Sequence, residues 1–133
     1  KFYIMTAGKT PADAEIFVPD MSDAKLYLQP HSNWFEADAS WFAAYFFGAG
    51  DIWQKMTDDD NDGIYECNIP EGGYTQVIFC QMRNGNQTLS WDAKKNQTVD
   101  LTIPADNNVL FVVETPWGDE SNGWKATGRW SAL

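Results

Sequence analysis

The residues best suited to chemistry in this chain are its tryptophans, Trp34, Trp41, Trp53, Trp91, Trp117, Trp124 and Trp130, and several lie in or beside turn-forming segments. Trp34 follows His31-Ser32-Asn33, Trp91 precedes Asp92-Ala93-Lys94-Lys95, and Trp117 and Trp124 flank Gly118-Asp119-Glu120-Ser121-Asn122-Gly123. A flat indole complements the C–H face of a sugar ring, while neighbouring amides and ammonium groups complement the hydroxyl edge. The chemistry expected is therefore glycan recognition, with Trp34 and Trp91 as contacts. Trp53 and Trp130 sit beside or among strand-forming residues and are expected in the core, with the indole N–H satisfied at its rim.

The run Asp58-Asp59-Asp60-Asn61-Asp62-Gly63 places Asp58, Asp60 and Asp62 at the alternating positions of a calcium loop, with Gly63 at the bend. The pattern then breaks: its twelfth position is Ile69, where a bidentate Glu is needed, and the residues after Gly63 read as a strand. A hairpin turn, with Asn and Asp side chains bonded to local backbone, is the expected reading, and calcium at Asp58, Asp60 and Asp62 is the alternative. No other metal centre or cofactor is expected: the single His31 is far in sequence from Cys67 and Cys80, so zinc lacks ligands. The two cysteines flank a Pro70-Glu71-Gly72-Gly73 turn; a hairpin there would set them nearly opposite, as a disulfide or as two buried free thiols, the second being preferred.

The parts of familiar catalytic machinery are missing. There is no Gly-x-Ser-x-Gly turn, no phosphate-cradling glycine loop and no His-x-x-x-His pair. Two carboxylates would suffice for a glycosidase, but one must be desolvated in a deep cleft, and most acidic residues here fall in turns. The expectation is a protein that is not an enzyme. A net charge of −10 leaves no basic stripe for phosphates, which argues against nucleic acid and anionic membranes. No apolar run approaches the length of a membrane span.

Positioning such residues needs a fold, and at 133 residues with 44% hydrophobic content the chain is sized for one domain with a real core. Helical periodicity is weak, whereas short apolar or alternating runs recur at 2–5, 15–18, 24–29, 42–47, 63–69, 75–82, 98–103, 109–113 and 124–130. Turn chemistry separates them at 30–33, 58–63, 70–73, 84–86, 104–108 and 116–123. This spacing predicts an all-β, antiparallel β-sandwich of immunoglobulin-like or carbohydrate-binding-module type over residues 24–133, preceded by an extension or extra strand pair at 1–23. Within 41–47, Phe42, Ala44 and Phe46 make the better core face, which would turn Trp41 and Tyr45 to the other side; a sandwich interior also accepts Tyr when its hydroxyl reaches a partner, and cover by the N-terminal segment would make Trp41 and Tyr45 structural. Asn86-Gln87-Thr88 and Asn96-Gln97-Thr98 match a glycosylation pattern, but their amides and hydroxyls also suit a surface that meets sugar hydroxyls.

The order of these features resembles starch-binding carbohydrate-binding modules, most nearly those of families 25 and 26. The residues behind the resemblance are Lys25-Leu26-Tyr27-Leu28 leading to Ser32-Asn33-Trp34, then Phe42-Ala43-Ala44-Tyr45-Phe46, then Met56-Thr57-Asp58 through Asp62-Gly63-Ile64-Tyr65-Glu66 as a hairpin. Val77-Ile78-Phe79-Cys80 and Asn96-Gln97-Thr98-Val99-Asp100-Leu101 continue it. It covers about 24–113; the segments 1–21 and 116–130 do not belong to the pattern. The resemblance implies an extracellular bacterial β-sandwich that binds α-1,4-linked glucose chains without hydrolysing them. Carried across, it assigns Trp34 and Tyr45 as neighbouring rings and Lys94, Asn96 and Gln97 as hydroxyl partners, with Trp91 as a further platform.

The expected function is thus a non-catalytic module for starch-like α-glucan or maltooligosaccharides, secreted or on a cell surface. The initial Lys1 is read as the start of a mature region or of a piece of a larger multidomain protein. The alternatives are a protein-interaction or spacer domain of a surface assembly, and a module for a β-glucan or host glycan.

Overall fold

A computed structural model describes residues 21–35, 41–105 and 109–133. The expected strands at 2–5 and 15–18, and with them the reading of an N-terminal extension, lie outside those residues. Among the described residues, nine strands follow in chain order: β1 (Met21–Gln29), β2 (Trp41–Phe47), β3 (Asp51–Lys55), β4 (Tyr65–Pro70), β5 (Gln76–Met82), β6 (Lys94–Gln97), β7 (Leu101–Thr102), β8 (Val109–Thr115) and β9 (Thr127–Ala132). They form two sheets, one in the order β9-β8-β1-β4 and one in the order β3-β2-β5-β6, with β7 also pairing with β5. All pairs are antiparallel except β1 with β8, so the all-β sandwich is the architecture observed.

Alternation decides what lies between the sheets. On β2, Phe42, Ala44 and Phe46 point inward and meet Leu26 and Leu28 of β1, Val77 and Phe79 of β5, and Phe111 and Val113 of β8. Phe79 stacks on Phe111 with centroids 5.8 Å apart, joining the two sheets, and Trp130 closes on both rings at 6.1 and 5.1 Å. Each fully buried Leu or Phe side chain contributes roughly 1.5–3 kcal/mol relative to exposure, which makes this inward set the main source of stability.

The Pro70-Glu71-Gly72-Gly73 segment does not make a hairpin. With Gly72 at φ 131° and Gly73 at φ 83°, it carries the chain from β4 in one sheet to β5 in the other. This corrects the expected pairing of the thiols. Cys67 faces the inter-sheet core, Cys80 faces the outer side of the second sheet, and both are free. Burial pushes each thiol up to about 12. The expected hairpin at 56–66 likewise reduces to one antiparallel bridge, Thr57 with Glu66, because β3 and β4 belong to different sheets.

Candidate functional site

The outer face of the second sheet is unusually apolar. There β2 presents Trp41, Ala43, Tyr45 and Phe47, and β5 presents Ile78, Cys80 and Met82. Gly48 at φ 104° and Gly50 at φ 101° turn β2 tightly into β3. The resulting register sets Trp53 directly opposite Tyr45, and Asp51 opposite Phe47. Neighbouring cross-strand aromatics on one face are within contact reach, and Tyr45 and Trp53 have centroids 5.0 Å apart.

Trp91 reaches the same place from a loop. Ala93 N–H bonds the Ser90 carbonyl, and Arg83 N–H bonds the Ala93 carbonyl at 2.7 Å. Ala93 itself is fully buried on the outer face of the sheet. Beside it, Trp41 donates its indole N–H to the carbonyls of Arg83 and Asn86, so the loop is pinned at both ends and Trp41 lies beneath it. Trp91, in the short turn Trp91–Ala93, thereby comes to 4.8 Å from both Tyr45 and Trp53. It remains 41% exposed. Tilts of 58–65° among the three rings make a stepped aromatic surface, with Phe47 continuing it 5.8 Å from Tyr45.

A bulge supplies the polar rim. On β5, Cys80 faces Gln97, Gln81 faces Asn96, and Met82 faces Lys94, so Lys95 is the extra residue. Strict alternation back from Gln97 would turn Lys94 inward; the bulge returns it to the outer face. Lys94 Nζ donates to Gln97 Oε1 at 2.8 Å and lies 5.9 Å from the Trp91 ring centroid, within cation–π range. Across the cluster, the Tyr45 hydroxyl donates to Asp51 Oδ2 at 2.7 Å, and this bond raises the phenol above its ordinary range.

Of the six residues expected to touch a ligand, the structure therefore gathers Tyr45, Trp91, Lys94 and Gln97. Two expectations are corrected. Trp34 has no exposed surface; its ring packs on Phe42 and its indole N–H is held by the Pro116 carbonyl at 2.8 Å. Asn96 turns inward and donates to the buried Gln81 at 2.6 Å, as its register demands. Trp53, expected in the core, belongs instead to the outer cluster, and Asp51 and Phe47 were not singled out. Their signal was present: treating Gly48-Ala49-Gly50 as a tight turn pairs Tyr45 with Trp53.

The acidic run forms the expected turn. Asp58 accepts N–H bonds from Asp62 and Gly63 at 3.1 and 2.9 Å, Asp62 accepts one from Ile64, and Asn61 takes φ 57°. Partial desolvation pushes the Asp58 carboxyl up, but the bonds from Gly63 and Asp62 outweigh it and hold the group below its usual range. Asp60, sharing hydrogen bonds with Asp58 and lying near Asp62, is raised. Oxygens of Asp58, Asp60 and Asp62 lie within 4.8 Å of one another, yet both Asp58 oxygens already serve the backbone.

Among the described residues, concavities of about 430 and 270 Å³ have linings that include none of the three rings. One is lined by Ile69, Tyr74 and Ile103, the other by Lys25, Lys55 and Glu66. The cluster's apolar rings and flanking ammonium, amide and carboxylate groups complement a flat-faced, hydroxyl-edged ligand. No protein-family model, curated protein or solved structure matches the chain.

Proposed function

We propose that this domain is a non-catalytic carbohydrate-binding module for a starch-like α-1,4-glucan, working outside the cell or on its surface as part of a larger protein. The observation that carries the reading is the Tyr45–Trp53–Trp91 cluster, three mutually contacting rings on a sheet face, with Trp91 open to solvent and Lys94 and Gln97 at its edge. Burying three aromatic rings beneath a sugar would remove apolar surface from water, and the polar rim would replace the water bonds of the hydroxyls. The tilts of 58–65° leave the three rings non-coplanar, unlike the flat platform that suits a straight β-glucan. Binding without hydrolysis fits a cluster whose carboxylate, Asp51, is exposed, because a catalytic carboxyl needs desolvation in a cleft. Modest affinity at one such patch is raised when modules are linked.

The test is native electrophoresis through gels containing amylopectin, glycogen, pullulan or a β-glucan. Retardation by the α-glucans alone, lost in folded Trp91→Ala, is the expected result. Unaltered mobility in every gel would instead favour a protein partner for the same aromatic surface.

A further inference from the structure

Trp124 is the most exposed large apolar residue among those described, at 65%, and its φ is 61°. Left-handed backbone suits glycine or asparagine and strains a bulky aromatic, so such a residue persists only where its surroundings hold it. Here they do. Gly123, itself at φ 71°, ends the turn Glu120–Asn122; Trp124 N–H donates to the Asp119 carbonyl at 2.9 Å, and Lys125 N–H donates to Asn122 Oδ1 at 3.2 Å. A side chain at Gly118 would run into the Lys125 carbonyl and the Asn122 amide, which shows how tightly the loop closes. Nothing in this arrangement buries the indole, so the fold holds a strained ring toward water.

The loop is also fastened to the rim of the aromatic site. Ala126 N–H donates to the Gln97 carbonyl at 2.8 Å, and Val99 N–H donates to the Ala126 carbonyl at 2.9 Å. Gln97 thus anchors the Trp124 loop through its backbone while its side chain holds Lys94 beside Trp91. Strand geometry limits the backbone separation of Trp124 from Lys94, whose ammonium lies 5.9 Å from the Trp91 ring: two residues from Trp124 to Ala126, one strand spacing, and three residues from Gln97 to Lys94 amount to roughly 25 Å at most.

We propose that Trp124 is a second contact for the same glycan chain, engaged after the chain crosses the β6 edge, and that the preferred ligand is an oligosaccharide long enough to touch both Trp91 and Trp124. This rests on the reading of the Tyr45–Trp53–Trp91 cluster as a glycan site. Two contacts on one chain act at high effective concentration, so length itself becomes the determinant of affinity.

Calorimetric titration of the wild type, Trp124→Gly and Trp91→Ala with maltotriose and with maltoheptaose tests it, alongside thermal melts. The wild type is expected to bind the longer sugar about tenfold or more tightly than the shorter. Trp124→Gly should erase that gain, leave maltotriose affinity unchanged, and melt at or above the wild-type temperature, since glycine suits the backbone. Trp91→Ala should lose both sugars. A length gain that survives Trp124→Gly, an equal loss for both sugars, or a lowered melting temperature in that variant overturns the second contact alone. Failure of the wild type to bind either sugar overturns the glycan reading and this inference with it.

Discussion

Gln81 Nε2 donates to the main-chain carbonyl of Trp34 at 2.9 Å, joining residues 47 positions apart in sequence through a fully buried amide. Gln81 Oε1 in turn accepts from Asn96, so one side chain satisfies both β6 and the turn Ser32–Trp34. Removing it leaves a buried carbonyl and an amide unpaired and opens a cavity. Gln81→Ala is expected to lower unfolding free energy by about 2–4 kcal/mol in urea titration. Asn96→Ala should cost about 1–2 kcal/mol and leave glycan affinity unchanged. A stable Asn96→Ala protein with weakened binding would instead return Asn96 to the ligand surface.

Trp34 and Trp91 are separated by the same comparison of stability against binding. Deleting a buried tryptophan costs about 3–5 kcal/mol, so Trp34→Ala should melt well below wild type, with affinity per folded molecule preserved. Trp91→Ala should keep its melting temperature within a few degrees and lose affinity about tenfold or more, the behaviour of an interface anchor. Thermal melts paired with calorimetric titration against maltoheptaose give both readouts. Reversal of the two patterns would place the site at Trp34.

The contrast also marks how far the sequence could be read. The Phe42, Ala44 and Phe46 alternation exposed the face of β2 that carries Tyr45, and the 94–97 segment was already singled out for its polar groups. Trp34 misled because the turn Ser32–Trp34 lies at the end of the core strand β1, and a residue in a turn can still point inward. The edge strands β3 and β6 were missed because they are short and polar, with pairing set by glycine turns and a bulge instead of by apolar content. Facing of Lys94 and Asn96 was undecidable without that bulge, since one inserted residue reverses every side chain beyond it. The thiols failed for a related reason: a turn rich in Gly and Pro is as able to cross between sheets as to close a hairpin.

Cys67 lies in the inter-sheet core and Cys80 on the outer face of the second sheet, so stability should not depend on redox state. With burial pushing both thiols up to about 12, the thiolate that reacts is nearly absent at neutral pH. Addition of dithiothreitol is expected to leave the melting temperature unchanged. Both thiols should resist an aromatic disulfide reagent in native buffer and react fully in concentrated urea. A drop in melting temperature under reduction would mean that the two are joined.

The acidic turn supplies a pH test with opposite signs at neighbouring residues. Asp58 has a folded pKa below its unfolded value, so its contribution to stability is present above about pH 4 and is lost as pH falls through the depressed value. Asp60 has a raised folded pKa, chiefly from its hydrogen bond to Asp58; its contribution is full below about pH 4 and is lost as pH rises through the raised value. Asp58→Asn should therefore lower the urea midpoint at pH 7, with the difference from wild type shrinking as the pH drops below about 4. Asp60→Asn should raise it at pH 7, and that advantage should vanish over the same acidic range. Both series are measured with a chelator present, so that the carboxylates act only on one another and on the backbone. Loss of midpoint in both variants at pH 7 would mean that Asp60 contributes to the turn as an acceptor more than it repels Asp58 and Asp62.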